Sequence, residues 1–298
     1  MEVGKTSVNN AQRRIVAGVD LGPETEAVVS YAVCLAAARR AGVHLLYVID
    51  YLLTPPSYLS EYVEEEKKRD EAEMRSWKLR IERQGIEAEC GVVLGRLHQS
   101  FVKTMEETAP ELLVVGFKSH LMRPSSSERL IKSLKTPILA VRGKKASGAS
   151  IGSVGIRKIL CPVDFSDGSR KAAAAAAEYA SLFSARLDLL HVVPSHVIKG
   201  KWSSWERLGQ DEKSRFEEAA RSEAADRLGS FLGGMRIEAK GEVRQGCPAE
   251  SIAGFAEEGG YDLVVIGARG LSYVESVLLG GTTEAVLRSS PCPLLIIH

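Results

Sequence analysis

The chain has 298 residues, of which 45% are hydrophobic and 26% charged, and its formal net charge is +1. This composition is typical of a soluble globular protein, and the length predicts two domains of about 150 residues each. The near-zero charge gives no electrostatic reason to bind nucleic acid or an acidic membrane surface, so we expect neither partner. No apolar run approaches the ~20 residues of a membrane-spanning helix. The polar start MEVGKTSVNNAQRR lacks a signal-peptide core, so we predict a cytoplasmic protein without membrane insertion.

The five cysteines are scattered along the chain and form no C-x-x-C pair. An odd count without paired spacing does not indicate a disulfide framework or a zinc site. We therefore expect all five to be small buried apolar residues of a protein kept in a reducing cytosol.

Internal repetition is the main feature of the sequence. Four segments of the first half recur in order in the second: RIVAGVD (14–20) as KILCPVD (158–164), HLLYVID (44–50) as DLLHVVP (188–194), ELLVVG (111–116) as DLVVIG (262–267), and TPILAVRG (136–143) as CPLLIIH (292–298). Two copies of one unit indicate tandem domains. We predict domains at 1–143 and 156–298, with a Gly-, Ser- and Lys-rich linker at 144–155.

Within each unit, short apolar runs alternate with helical patterns, which predicts βαβ crossovers and a parallel sheet. In the first unit strands are predicted near 14–19, 43–49, 86–93, 112–115 and 137–141, with a long charged helix at 61–84. In the second unit strands are predicted near 157–163, 186–193, 236–243, 261–266 and 293–297, and helices near 168–184, 211–232, 247–258 and 282–289. Asp167 and Ser169 are predicted to cap the helix that contains KAAAAAAEYA.

A glycine-rich segment, YDLVVIGARGLSYVESVLLGGTT at 261–283, follows the fourth strand of the second unit. Its pattern is G-x-x-G-x9-G followed by small and hydroxylated residues, which is neither a P-loop nor a dinucleotide fingerprint. Glycines let a ligand approach the backbone, and free amides at a helix start attract anions. The pattern favours phosphate binding, although an ordinary strand–turn–helix joint would also contain glycines.

This loop resembles the nucleotide loop of the universal stress protein family. The same half carries other marks of that family: KILCPVDFSDGS at 158–169, LLHVV at 189–193, GCPAESI at 246–252 and SPCPLLII at 290–297. One departure is that the family usually has Ser after the last glycine of the loop, where this chain has Gly281. Loss of that hydroxyl would weaken phosphate binding by about 1 kcal/mol.

The resemblance implies an α/β fold of two tandem Rossmann-like domains, similar to adenine nucleotide α-hydrolases, each a five-stranded parallel sheet of order 3-2-1-4-5. It also implies that ATP binds the second domain, with Mg²⁺ or Mn²⁺ carried on the phosphates. By resemblance, Asp164 contacts the adenosine, Val192 meets the adenine through its backbone, and the glycine loop holds the ribose and phosphates. The implied binding residues are Pro162, Val163, Asp164, Val192, Ile266, Gly267, Arg269, Gly270, Gly280, Gly281, Thr282 and Thr283.

The first unit keeps Asp20 and Val48 at the matching positions, but its loop, GFKSHLMRPSSSERL, retains only Gly116. Ser119 replaces the second glycine, and Pro124 stands where Gly280 does. Because proline lacks the N–H that a phosphate would use, we expect one nucleotide per chain and a structural or partner-facing first unit.

We expect the two units to pair as an intramolecular pseudo-dimer through their apolar last strands, TPILAV and CPLLII, as family members commonly do; a homodimer is possible. The function implied is that of a stress-response regulator or sensor. Two alternatives remain: a slow ATP-hydrolysing or adenylyl-transfer enzyme, for which only Asp164 is a candidate base, and a dimerising adaptor that binds no nucleotide.

Overall fold

The computed structural model describes residues 13–50, 60–118, 126–142, 151–195, 208–270 and 279–298. The described strands are β1 (Arg14–Val19), β2 (Gly42–Asp50), β3 (Ala88–Gly95), β4 (Leu112–Gly116), β5 (Ile138–Val141), β6 (Lys158–Pro162), β7 (Arg186–Pro194), β8 (Lys240–Gly246), β9 (Leu263–Gly267) and β10 (Leu294–Ile297). The described helices are α1 (Thr25–Arg39), α2 (Ser60–Glu82), α3 (Leu97–Thr108), α4 (Ser126–Ser133), α5 (Asp167–Phe183), α6 (Gln210–Met235), α7 (Pro248–Glu258) and α8 (Gly281–Ser289). The predicted α/β class is confirmed.

The described strands form one sheet in the order β3-β2-β1-β4-β5-β10-β9-β6-β7-β8. Strands within each half are parallel. The halves meet where β10 runs antiparallel to β5, with Leu294 opposite Ala140 and Ile296 opposite Ile138. Because the two parallel sets therefore run in opposite directions, the carboxyl ends of their strands lie at opposite edges of the sheet.

Helices cover both faces of this sheet, which explains why its central strands, such as β4, β5, β9 and β10, read as continuous apolar runs. The edge strand β8 is polar and has no buried residue. Neighbouring residues of one strand enter opposite cores: Ile15 packs in the core beneath α1 and α5, whereas Val16 packs in the core beneath α3 and α4. In α5, Ala172, Ala173 and Ala176 are fully buried. Their small side chains allow the helix to approach the sheet closely.

Two local predictions are wrong. The cap of α5 is Ser166, whose Oγ accepts a hydrogen bond from the Ser169 amide at 3.2 Å, and Asp167 is the first helical residue. Only Ser166 has the extended backbone that an N-cap needs. The cysteines are also not uniformly buried, because Cys247 is exposed at the N-terminus of α7 and Cys90 is half-buried.

No described helix is both long and apolar enough to cross a membrane. Of the predicted linker, residues 144–150 lie outside the described part of the chain, as do Ser119 and Pro124 of the first loop.

Helices α4 and α8 lie side by side and exchange ion pairs across the junction of the halves. Lys132 lies 3.0 Å from Glu128 within α4 and 2.9 Å from Glu284 of α8. Arg288 of α8 lies 2.9 Å from Glu284 and 2.7 Å from Glu128. The four side chains form a closed ring of alternating charge, hereafter the charge ring. Its most buried member is Glu128, whose side chain is 4% exposed.

The charge ring predicts a pH-dependent contribution to stability. Burial alone would raise the pKa of Glu128, but hydrogen bonds from Lys132 and Arg288 outweigh it and lower that pKa below its ordinary value. A carboxyl group with a lowered pKa stabilises the fold above its unfolded pKa, and the contribution is lost as pH falls through the folded pKa.

We expect Glu128→Gln to lower the free energy of unfolding at neutral pH by roughly 1–2 kcal/mol, since Lys132 and Arg288 are partly exposed and screened. Urea unfolding at several pH values measures this difference, which should shrink in acid. Glu106→Gln, at an exposed site in α3, is the matched control and should change stability little. A loss at Glu128 that is unchanged down to acid pH would contradict the role of its charge.

Candidate functional site

A cleft of about 480 Å³ opens at the carboxyl ends of the strands in the second half. Here β6 pairs with β7 on one side and with β9 on the other. Connections leave in opposite directions at such a point, which leaves a crevice where open α/β sheets bind ligands. The twelve residues predicted from the sequence all line this cleft: Pro162, Val163, Asp164, Val192, Ile266, Gly267, Arg269, Gly270, Gly280, Gly281, Thr282 and Thr283.

Asp164 holds the turn between β6 and α5. Its Oδ1 accepts hydrogen bonds from the Ser166 amide at 3.1 Å and the Ser166 hydroxyl at 2.5 Å. Phe165, between them, has a φ of 68°, in the left-handed region. Because Ser166 in turn caps α5, the carboxylate fixes both the turn and the start of the helix. Asp164 therefore both holds this turn and lines the cleft.

Gly267 is required by the packing of the chain itself. A Cβ on Gly267 would lie 2.8 Å from the carbonyl carbon and oxygen of Gly168 in the first turn of α5. Reciprocally, a Cβ on Gly168 would clash with the Arg269 carbonyl oxygen. The two glycines let the end of β9 approach the start of α5 closely, and this contact forms one side of the cleft.

Gly270 and Gly280 differ in what surrounds them. A Cβ on Gly270 would clash with Oδ2 of Asp164, so the loop backbone passes directly over that carboxylate. Gly280 donates its amide to the Ala268 carbonyl at 2.7 Å, which pins the loop end to the strand end. A Cβ on Gly280 would meet that carbonyl oxygen at 3.5 Å, an ordinary distance. Of these two glycines, Gly270 alone has a described neighbour that an added side chain would displace.

Helix α8 begins at the cleft with free backbone donors. Its first intrahelical bond runs from the Glu284 amide to the Gly280 carbonyl, which leaves the amides of residues 281–283 outside the helical ladder. Thr283 is buried and its hydroxyl donates to the Gly267 carbonyl at 2.8 Å, whereas Gly281 and Thr282 are exposed. Among the described residues, no atom lies within 4 Å of a Cβ built on Gly281. Gly281 and Thr282 are exposed residues of the cleft lining and stand at the positive end of the helix dipole.

His191 forms the opposite wall of the cleft. Its Nδ1 lies 2.8 Å from the Val163 carbonyl oxygen, which can only accept, so Nδ1 carries a proton. Burial lowers the His191 pKa and the nearby Arg227 guanidinium lowers it further, against the opposing effect of the Val163 carbonyl. The His191 ring packs against Phe165 with the two ring centroids 4.4 Å apart and the planes tilted by 35°. The Arg227 guanidinium carbon lies 4.4 Å from the centroid of the Phe165 ring.

Sequence reasoning did not assign six further lining residues: Ser169, Leu190, His191, Pro194, Pro248 and Ile252. Pro248 and Ile252 lie four residues apart in α7, so they share one face of that helix. This helical spacing in GCPAESI, after a predicted strand, was the signal that could have placed them at the site.

The first half has a corresponding but smaller cleft of about 260 Å³. Asp20, Val48 and Gly116 line it, as their match to the second half predicts. Ser127 donates to the Gly116 carbonyl at 2.6 Å, as Thr283 does to Gly267, so α4 starts in the same place as α8. Glu24 stands where Gly168 does, and its carboxylate lies beside Gly116, 3.7 Å from Lys118.

Within the described residues, no group of three or more His, Cys, Asp or Glu side chains could hold a metal ion.

Comparisons with known proteins agree with this architecture. A model of the universal stress protein family matches the chain twice, over residues 12–142 and 155–298. A universal stress protein of Methanocaldococcus jannaschii is 32% identical over 143 residues, which cover 47% of this chain and 81% of that protein. One from Thermus aquaticus is 33% identical over 147 residues, covering 48% and 98%.

Among solved structures, a universal stress protein from Archaeoglobus fulgidus matches with a TM-score of 0.67 over 95% of this chain and 97% of that one. At 20% identity this similarity supports the fold alone. The family assignment depends instead on the two matches of the family model, one in each half of the sheet. The chain belongs to the universal stress protein family.

Proposed function

We propose that this protein binds one ATP in the cleft of its second half and acts as a stress-response regulator or sensor. The observation that carries the proposal is the start of α8, where exposed amides of Gly281 and Thr282 face a cleft of about 480 Å³. Backbone amides and the helix dipole together favour phosphate groups. The volume lies within the range of about 300–1,000 Å³ typical of small-ligand sites.

The remaining walls suit the other parts of a nucleotide. Leu190, Val192 and Ile252 supply apolar surface for a base, and Asp164 is a hydrogen-bond acceptor of the kind that ribose hydroxyls use. Arg269 adds a positive charge at the glycine loop. ATP would be held by these groups, and Mg²⁺ or Mn²⁺ would be carried on its phosphates.

We favour regulation over catalysis because of what Asp164 does in the fold. Its Oδ1 already accepts two hydrogen bonds that fix the start of α5, so moving a proton there would disturb the turn. In this proposal the nucleotide is a ligand whose presence stabilises one arrangement of the loop. The two halves act as an intramolecular pseudo-dimer, supported by the antiparallel pairing of β5 with β10 and by the charge ring.

The first prediction from this proposal tests whether the phosphates lie at the N-terminus of α8, and it uses a pair of variants of the same size. Gly281→Asp places a carboxylate among the free amides of α8, where a Cβ has open space and a negative charge favours the helix. We expect ATP affinity to fall at least about tenfold in calorimetric titration, because like charges repel. Gly281→Asn, which is neutral and of the same size, should retain most of the affinity, and adenosine should bind both variants similarly.

If Gly281→Asp and Gly281→Asn weaken ATP equally, the effect is steric and the phosphates do not lie at α8. If adenosine is lost together with ATP from Gly281→Asp, the variant has disturbed the whole cleft, and the placement of the phosphates is contradicted.

A second prediction separates the two loop glycines. Gly280→Val should keep its thermal stability, because the backbone there is extended, with φ −73° and ψ 152°, and its Cβ meets the described atoms only at ordinary distances of 3.5 Å or more. Gly270→Val should lower thermal stability, since its side chain would displace Asp164. Both variants should lose at least about tenfold in ATP affinity. Undiminished affinity in a folded Gly280→Val protein would contradict the proposed site.

The third prediction is a stoichiometry near one ATP per chain. The first cleft has about half the volume and a carboxylate, Glu24, at the position of Gly168. Native mass spectrometry of the full chain at saturating ATP should show one bound nucleotide. At an ATP concentration near the wild-type Kd, the occupancy of Gly281→Asp should be several-fold lower than that of the wild type. Two bound nucleotides at saturation, or equal occupancy of the two proteins near the wild-type Kd, would refute the assignment.

A further inference from the structure

The first-half cleft is a formed cavity that the proposed function leaves unused. Its floor is apolar, built from Val19, Val28, Phe101 and Val115, while Asp20, Glu24 and Lys118 lie among its polar lining. It lies at the opposite edge of the sheet from the second cleft, because the halves run antiparallel. Any ligand bound there would therefore be separate from the nucleotide.

Larger side chains account for its smaller volume. Matching the two halves places Phe101 at the position of Ile252, Val28 at that of Ala172, and Leu97 at that of Pro248. The Phe101 ring also covers Gly18, where an added Cβ would lie only 2.6 Å from the ring carbon Cζ. The space left, about 260 Å³, is below the usual range for drug-sized ligands and suits a molecule of one ring.

The described linings of the two clefts differ in net charge. Asp20 and Glu24 contribute two carboxylates against one lysine, Lys118, so the described lining carries an excess negative charge. Among the lining of the second cleft, Asp164 is balanced by Arg269. Glu24 lies over Gly116: its Oε2 is 3.1 Å from the position of a Cβ added to Gly116. In the second half, Gly168 stands at the position of Glu24, and its lack of a side chain leaves room for the backbone of Arg269. A phosphate entering here would meet a carboxylate, whereas a cation would be attracted.

Among the described residues, neither carboxylate forms an ion pair shorter than 3.7 Å. Glu24 lies 3.7 Å from Lys118, and their side chains are 34% and 50% exposed, which makes this a weak interaction. Asp20 uses its Oδ1 to accept from the Gly22 amide at 2.9 Å and the Thr25 hydroxyl at 3.3 Å, which fix its position at the start of α1. The carboxylates of Asp20 and Glu24 thus lie at the rim of a cleft whose floor is apolar.

We propose that the first-half cleft binds a compact planar cation, a one-ring molecule that carries an amidinium or protonated amine. The ring lies on the apolar floor beside Phe101, and the charged group lies at the rim with Asp20 and Glu24. The first half is then a second ligand site of different chemistry, and the protein responds to two unlike small molecules. This proposal does not depend on ATP binding in the second half.

Benzamidine and benzoate test it, because they share one shape and carry opposite charge. Each is titrated into the isotope-labelled full chain, with saturating ATP present, while backbone amide shifts are followed by NMR. We expect benzamidine to shift the amides of Gly18, Val48 and Gly116 and to bind at least about tenfold more tightly than benzoate. Equal affinities, no binding of benzamidine, or shifts confined to the second cleft would overturn the proposal.

Glu24→Gln keeps the shape of the side chain and removes its charge. We expect this variant to reduce the preference for benzamidine over benzoate several-fold, while Glu106→Gln, on the exposed face of α3, leaves it unchanged. A preference that is the same in wild type and Glu24→Gln would show that the rim carboxylate does not select the cation. If both variants lose the preference equally, overall protein charge accounts for it, and the cleft assignment fails.

Discussion

The antiparallel pairing of β5 with β10 is the constraint on which the arrangement of this protein depends. Both strands are short and apolar, and alone each would leave an exposed edge that invites aggregation. Joining them buries both edges and makes one ten-stranded sheet from two parallel sets. The same junction brings α4 beside α8, where Lys132 of α4 and Arg288 of α8 both form ion pairs with Glu128. It also places the two clefts at opposite edges of the sheet.

The second cleft illustrates how backbone packing prepares a site before any ligand arrives. Gly168 and Gly267 are needed because α5 and β9 meet there, and Gly270 is needed because the loop crosses Asp164. The packing of the chain itself requires these glycines, and the close backbone contacts that they allow give the cleft its shape. Gly281 is different, since nothing in the described chain fills the space beside it. The distinction separates residues that build the site from those left available to a ligand.

Much of the fold follows from the sequence, because the repeated apolar runs specify parallel strands buried on both faces and their spacing specifies the crossovers. The twelve site residues could be grouped because the ends of strands one and four adjoin in this topology, a point supplied by family resemblance. The cap of α5 was mispredicted because Asp167, Ser169 and Ser166 all carry oxygens, and only backbone geometry selects Ser166. The charge ring could not be predicted, since it needs the relative placement of two helices whose paired residues lie 152 and 160 positions apart in sequence. Local sequence patterns carry no information on such a placement.

A crystal structure of the full chain grown with a non-hydrolysable ATP analogue tests the central claim most directly. We expect density for the phosphates within hydrogen-bond distance of the Gly281 and Thr282 amides, for the base against Val192, and none for nucleotide beside Asp20. Phosphates bound at the first cleft, or a nucleotide in the second cleft whose phosphates point away from α8, would contradict it.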